Sequence, residues 1–202
     1  MSPVHRRLLP RPIAAIRLDG GRLCLDFVNS IHNRYAAEIE DYLHHPERFI
    51  DWCIRAGALR LDERVSLPRA VDRRKKLMLE VVNLRDHLHA LFAARIDDVS
   101  LPRAAVRGLD GWLHRAWASQ MLGADGQLHW RADARDARLP LKRIALDALE
   151  LFGDPSISRL RRCDNTTSCG WLFLDTSKNH RRRWCAMETC GTAEKMHRYR
   201  QG

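Results

Sequence analysis

The chain has 202 residues, 45% of them hydrophobic and 30% charged, with a formal charge of +10. That length supports one good core, or a core of about 150 residues with a small appended module, and the composition excludes a disordered chain. No stretch approaches the roughly 18 consecutive apolar residues of a membrane span, and the early IAAIRL is broken by Arg17, so neither a membrane partner nor a signal peptide is expected. The expected compartment is the cytoplasm, where clustered cysteines bind metal more often than they form disulfides.

Near the start, RLDGGRLCLDFVNS places Leu23, Leu25 and Phe27 in alternation after a Gly-Gly turn, which predicts a short strand or hairpin. HPERFIDWCIRAGAL then predicts a helix, with Pro46 in its first turn, Cys53 as a core thiol and Gly57 as its stop. SLPRAV at 66–71 and SLPRAAV at 100–106 predict two helix starts, capped by Ser66 and Ser100, each with a proline in the first turn. The first helix shows one apolar stripe through Leu77, Val81, Leu84, Leu88 and Leu91; the second shows another through Leu109, Leu113, Ala116 and Trp117. His87, His89 and His114 lie on these helices with no metal-binding spacing, and no chemistry is assigned to them.

The Asp-Gly pair of GADGQLHWRAD predicts a small hairpin, and LPLKRIALDALELFG predicts a helix over about 141–152, closed by Gly153. DPSIS reads as a joint. The expected fold is α+β and mostly α: a helical N-terminal domain over 1–153 with one or two short hairpins, and a small C-terminal finger of hairpin and helix over 159–202.

The last part of the chain carries the chemistry. From Arg159 onward there are ten Lys/Arg and four Asp/Glu, which concentrates positive charge in one short module and points to a polyanionic partner, nucleic acid first. In the same segment Cys163, Cys169, Cys185 and Cys190 give C-x5-C-x15-C-x4-C, two close pairs across a loop. That pattern suits tetrahedral zinc, one ion per chain, in a closed and therefore structural site. Iron–sulfur, redox-disulfide and unligated readings stay open, as does replacement of one thiolate by His180 or His197, because the first pair is looser than usual. Cys24 and Cys53 stand outside the pattern.

WLFLD and RRRWC read as two strands of a hairpin between the cysteine pairs, and 191–200 as a helix. On such a strand Arg181 and Arg183 share one face, and Arg182 and Trp184 share the other. Arginine grips phosphate through two donors, so the candidate nucleic-acid contacts are Arg161, Lys178, Arg181, Arg182, Arg183, Lys195, Arg198 and Arg200. Trp171 and Trp184 read as residues of a small core rather than as base-stacking platforms.

CGWLFLDTSKNHRRRWCAMETCG resembles the CGNR zinc finger, and RLCLDFVNS resembles the opening of the ABATE-type domain that precedes it. The resemblance rests on Trp171, Phe173, Asp175, Ser177, Arg182, Arg183, Trp184, Cys185, Met187, Cys190 and Gly191. It implies a bacterial transcriptional regulator with a mostly helical N-terminal domain and a zinc finger. Thr192 and Ala193 depart from it, standing where the family pattern has Asn and Arg.

The leading functional expectation is a regulator that binds nucleic acid, DNA over RNA, with an N-terminal domain that senses a small-molecule or protein effector. A zinc-stapled protein-interaction module is the alternative. An enzyme is disfavoured, since the chain shows no P-loop, GxGxxG, GxSxG or HExxH.

Overall fold

The computed structural model describes residues 6–7, 11–35, 38–63, 65–131, 136–166 and 168–201, the side chains of 6, 7, 38, 197, 198, 200 and 201 excepted. The N-terminal region has a three-stranded sheet of very short strands, β1 (Arg6–Arg7), β2 (Ile31–His32) and β3 (Glu38–Asp41), in the order β1-β3-β2. The helices are α1 (Leu23–Val28), α2 (Pro46–Arg55), α3 (Val71–Ile96), α4 (Arg103–Ala118) and α5 (Leu139–Gly153); α1, α4 and α5 pack with α3 and with one another through α5, and α2 rests on α3. A hairpin of β4 (Gln120–Leu122) and β5 (Leu128–Trp130) follows α4, turning at Asp125-Gly126 as expected. The finger contributes β6 (Leu160–Arg162), β7 (Leu172–Leu174) and α6 (Thr192–Gln201).

RLCLDFVNS forms the helix α1, not a strand. Its buried residues are Cys24, Leu25, Phe27 and Val28, and a helix buried on most of its surface shows no clean period to read. The serine caps also differ from expectation. α4 begins at Arg103 with Pro102 as its extended flanking residue, and α3 begins at Val71, five residues after Ser66, which instead bridges to Asp136. The stripe on α3 is buried throughout. On α4, Leu109, Leu113 and Ala116 are buried, but Trp112 takes the inward place and Trp117 is 49% exposed.

α3 also carries Arg85 on its buried face. Its guanidinium forks onto both carboxylate oxygens of Asp41 at 2.9 Å and donates to Ser30 Oγ at 3.0 Å. A buried charge needs this degree of pairing, and the pair fixes β3 against α3.

One hydrophobic core runs across the joint at 154–158. Leu160, Trp171, Leu172, Phe173 and Leu174 of the finger belong to the same buried cluster as Leu25, Leu84 and Ile144. Polar contacts reinforce it: Leu174 N donates to Gly20 O, Trp171 Nε1 to Ile31 O, and Arg162 pairs with Asp97, the residue that follows α3. Asn29 spans the boundary most directly, bonding both backbone groups of Leu172.

Candidate metal centre and cationic surface

Cys163 follows β6, and Cys169 closes the loop into β7. Cys185 ends the arginine run, and Cys190 lies in the π-helical turn Met187–Gly191 that opens α6. Their four Sγ atoms lie within 4.8 Å of one another, and Cys185 Sγ is 3.6 Å from both Cys169 and Cys190. Four sulfurs in a tetrahedron with Zn–S of about 2.3 Å stand about 3.8 Å apart, so the donor set fits zinc. All four thiols are free and no more than 7% exposed.

The thiols compete for protons within the cluster. Hydrogen bonds from Cys169 and Cys163 respectively hold Cys163 and Cys190 below the usual thiol value, while contact with Cys163 pushes Cys169 and Cys185 far above it. Four thiols packed together cannot all ionise without a cation, and a dication removes that conflict.

The backbone holds the ligands in place. Cys163 N donates to Trp171 O at 2.8 Å, and Asp164 N to Arg183 O at 2.9 Å, which ties the first cysteine to the end of the arginine run. Gly170 takes φ +71°, and a Cβ there would lie 2.4 Å from the Tyr35 ring, so only glycine lets the loop after Cys169 seat against the N-terminal region.

His180 takes no part in the cluster. It is exposed at a turn with φ +51°, its ring contacting Asp175 O at 3.3 Å. His197 lies outside the described side chains. Cys24 and Cys53 are buried away from the metal centre, where burial raises both thiols well above the ordinary value.

The expected hairpin of WLFLD with RRRWC does not form. β7 pairs antiparallel with β6, Leu174 opposite Leu160 and Leu172 opposite Arg162. Its other edge is taken by Asn29 and Gly20 of the N-terminal region. The arginine run therefore has no free edge to join, and it crosses the finger as irregular chain. Asp175 anchors it: its Oδ1 accepts from Ser177 N and Oγ, and its Oδ2 from Arg182 N at 2.8 Å. Burial pushes this carboxyl up, yet the hydrogen bonds from Ser177 and Arg182 outweigh it and leave it below the usual carboxylate range.

The three arginines consequently have three different environments. Arg181 is exposed, with no ion pair among the described residues. Arg182 lies over the Phe173 ring, 4.4 Å from its centroid. Arg183 pairs with Asp164 at 2.6 Å and lies 5.2 Å from the Trp184 ring centroid. Lys178 and Lys195 are exposed and unpaired among the described residues, as is Arg161, whose guanidinium donates to the carbonyls of Ser158 and Leu160. The side chains of Arg198 and Arg200 lie outside the described residues. Trp171 is 6% exposed and Trp184 packs against the same core, as expected of small-core residues.

Two cations escaped the sequence reading. Arg11 and Arg17, from the N-terminal segment, line a cavity of about 470 Å³ beside Cys169, Cys185 and Cys190. Arg17 donates to Thr189 Oγ1 and pairs with Asp19; Arg11 pairs with Glu40. Ala193 lines the same cavity, so the cations at its wall come from the far end of the sequence. Only their approach through the fold identifies them, since nothing local in PRPIAAIRLD marks them.

Among the described residues no helix is long and apolar enough to cross a membrane. Comparison with known proteins gives two matches. Residues 21–155 match the ABATE family, described as "Putative stress-induced transcription regulator", and residues 159–201 match the CGNR zinc finger. No curated protein matches the chain. With its four-thiol centre lying wholly inside the second match, the chain belongs to the ABATE family and carries a CGNR zinc finger.

Proposed function

We propose that the chain is a cytoplasmic, non-catalytic regulator of transcription that binds nucleic acid, DNA over RNA, through the finger at 159–202. In this reading the helical region at 1–153 senses a small-molecule or protein effector. The observation that carries it is the pair Lys178 and Arg181: both exposed, both without an ion pair among the described residues, on a loop anchored by Asp175 and held at its far end by Cys185. Cations on an anchored loop lose little freedom on meeting a phosphate, whereas cations on a mobile tail lose much more. Arg161 and Lys195 extend the charged surface, and Arg198 and Arg200 continue α6 beyond it. The description of the ABATE family supports a role in transcription.

The test is anisotropy of labelled duplex DNA and of RNA with the zinc-loaded chain, at two salt concentrations. Binding to DNA that falls steeply with salt supports the reading, because phosphate contacts release counterions. If a partner is captured from lysate equally well before and after nuclease treatment, and purified DNA does not bind, the basic surface meets an acidic protein instead.

A further inference from the structure

A second cavity lies in the N-terminal region, far in sequence from the finger. It has a volume of about 600 Å³ and opens between the start of α2 and the first half of α3. Its apolar wall is formed by Leu43, Pro46, Met78 and Val82, with Val71 and Leu79 at the mouth. Val71 and Leu79 are 64% and 62% exposed, a large apolar exposure for two residues one above the other on a single helix face. Cavities of about 300 to 1,000 Å³ with apolar walls and a few polar groups are the usual form of small-molecule sites.

Charge at the mouth determines what fits. Lys75 lies between Val71 and Leu79 at helical spacing of four, and it is exposed with no ion pair among the described residues. The other charges cancel locally: Arg74 pairs with Glu47, and Asp41 with Arg85. His44 is held neutral-favouring by burial, with its ring against Asp41 O at 3.2 Å. One unmatched positive charge therefore stands over an apolar hollow.

We propose that this cavity binds a small amphipathic organic monoanion, with its apolar body against Leu43, Met78 and Leu79 and its carboxylate at Lys75. A second copy of the chain suits the site less well, because pairing on this face would bring two Lys75 ammonium groups into one apolar interface. The proposal rests on the sensing role given above to the helical region, but it concerns binding to that region alone. Failure of nucleic-acid binding leaves it standing, and its own failure leaves nucleic-acid binding standing.

Asp41 connects the cavity to the finger by contact. It lines the cavity, holds Arg85, and through Arg85 reaches Ser30, next to the Asn29 that bonds Leu172.

The test is isothermal titration of the full zinc-loaded chain with decanoate below its micelle concentration, with decanol and decyltrimethylammonium as matched probes. Decanoate is expected to bind one per chain and saturably, with decanol weaker and the cation weakest. Lys75→Glu, at an exposed position, should weaken decanoate by about tenfold or more as attraction becomes repulsion. Leu79→Asn, which removes apolar surface at the mouth without adding charge, should weaken decanoate and decanol alike, while Lys76→Glu, outside the cavity, should change little. The proposal is overturned if decanoate shows no saturable binding, if decanol binds as well as decanoate, or if Lys75→Glu matches the parent chain. It is equally overturned if the chain dimerises at micromolar concentration and Leu79→Glu makes it monomeric, since the occupant is then a second copy.

Discussion

The side-chain amide of Asn29 pairs with the backbone of Leu172 as another strand would: its Nδ2 donates to Leu172 O at 2.8 Å, and its Oδ1 accepts from Leu172 N at 2.9 Å. Asn29 is 3% exposed and Leu172 fully buried. The Asn29→Ala variant leaves two buried backbone groups without partners, at about 1 to 3 kcal/mol each, so a loss of about 2 to 6 kcal/mol is expected in urea unfolding. Asn179→Ala, at an exposed position, should be close to neutral. A small effect of Asn29→Ala would mean that the two regions are held by apolar packing alone.

The metal centre gives the second prediction. Purified chain should carry about one zinc, and Cys185→Ser or Cys190→Ser should release it, because a closed thiolate site needs all four ligands. Cys24→Ser and Cys53→Ser should keep full zinc content, since both lie outside the cluster. Metal analysis after desalting settles it: full retention in the Cys185 and Cys190 variants would contradict a four-thiolate site.

Truncation is the third. A chain ending at Asp154 removes Leu160, Phe173 and Leu174 from the shared core and exposes the apolar surface they covered. Such a fragment is expected to melt well below the whole chain and to bind a hydrophobic dye. The whole chain should melt in one transition rather than two. A fragment as stable as the parent would show that 1–153 folds on its own.

The fourth concerns the arginines: Arg181 and Arg183 are exposed and Arg182 is half-buried, as the expected alternation has it, although the run forms no strand. Arg181→Ala should lower the slope of log affinity against log salt by about 0.9, the value of one lost phosphate contact on duplex DNA. Arg182→Ala should leave that slope in place and instead cost the finger about 1 kcal/mol, through the lost stacking on Phe173. Asp164→Asn, which frees Arg183 from its partner, should tighten DNA binding and steepen the slope. Identical behaviour of Arg181→Ala and Arg182→Ala in both assays would contradict this division of roles.

The fifth concerns pH. Burial pushes the Asp26 carboxyl up to about 7, against an ordinary value of 3.8, although Gly20 N donates to it at 2.8 Å. The folded chain thus holds this proton more tightly than the unfolded chain, so Asp26 costs stability progressively as pH rises from about 4 to 7. Asn in its place keeps the acceptor for Gly20 and cannot ionise. The stability difference between Asp26→Asn and the parent should therefore grow in favour of the variant across that window and level off above it. A difference that stays flat from pH 4 to 8 would show the carboxyl to be solvated.

The metal ligands were legible in the sequence because their pattern is local: two close pairs with a loop between them identify the site without any knowledge of the fold. The long helices were legible for the same reason, since the stripe from Leu77 to Leu91 repeats at the helical period. The misread segments are those whose partners are distant. Leu23, Leu25 and Phe27 alternate as a strand would, but α1 is wrapped by apolar neighbours on most sides and its inward set is not periodic. Arg181 to Arg183 were expected to complete a hairpin with β7, yet both edges of β7 are filled, one by β6 and the other by Asn29 and Gly20, far earlier in the chain. Arg17 reaches Thr189 across most of the chain, and no window of sequence contains both.

The bond between Asn29 and Leu172 also sets an order of events during synthesis. The slots that Leu172 and Leu174 fill in the N-terminal region stay open until those residues have left the ribosome, more than 140 positions after Asn29 was made. Contacts this long-range form late, and the surface awaiting them is apolar. Until then the apolar surface around α1 that receives Leu172 and Leu174 lacks its cover, so the segment that closes the N-terminal core is made more than 140 positions after the residues it covers.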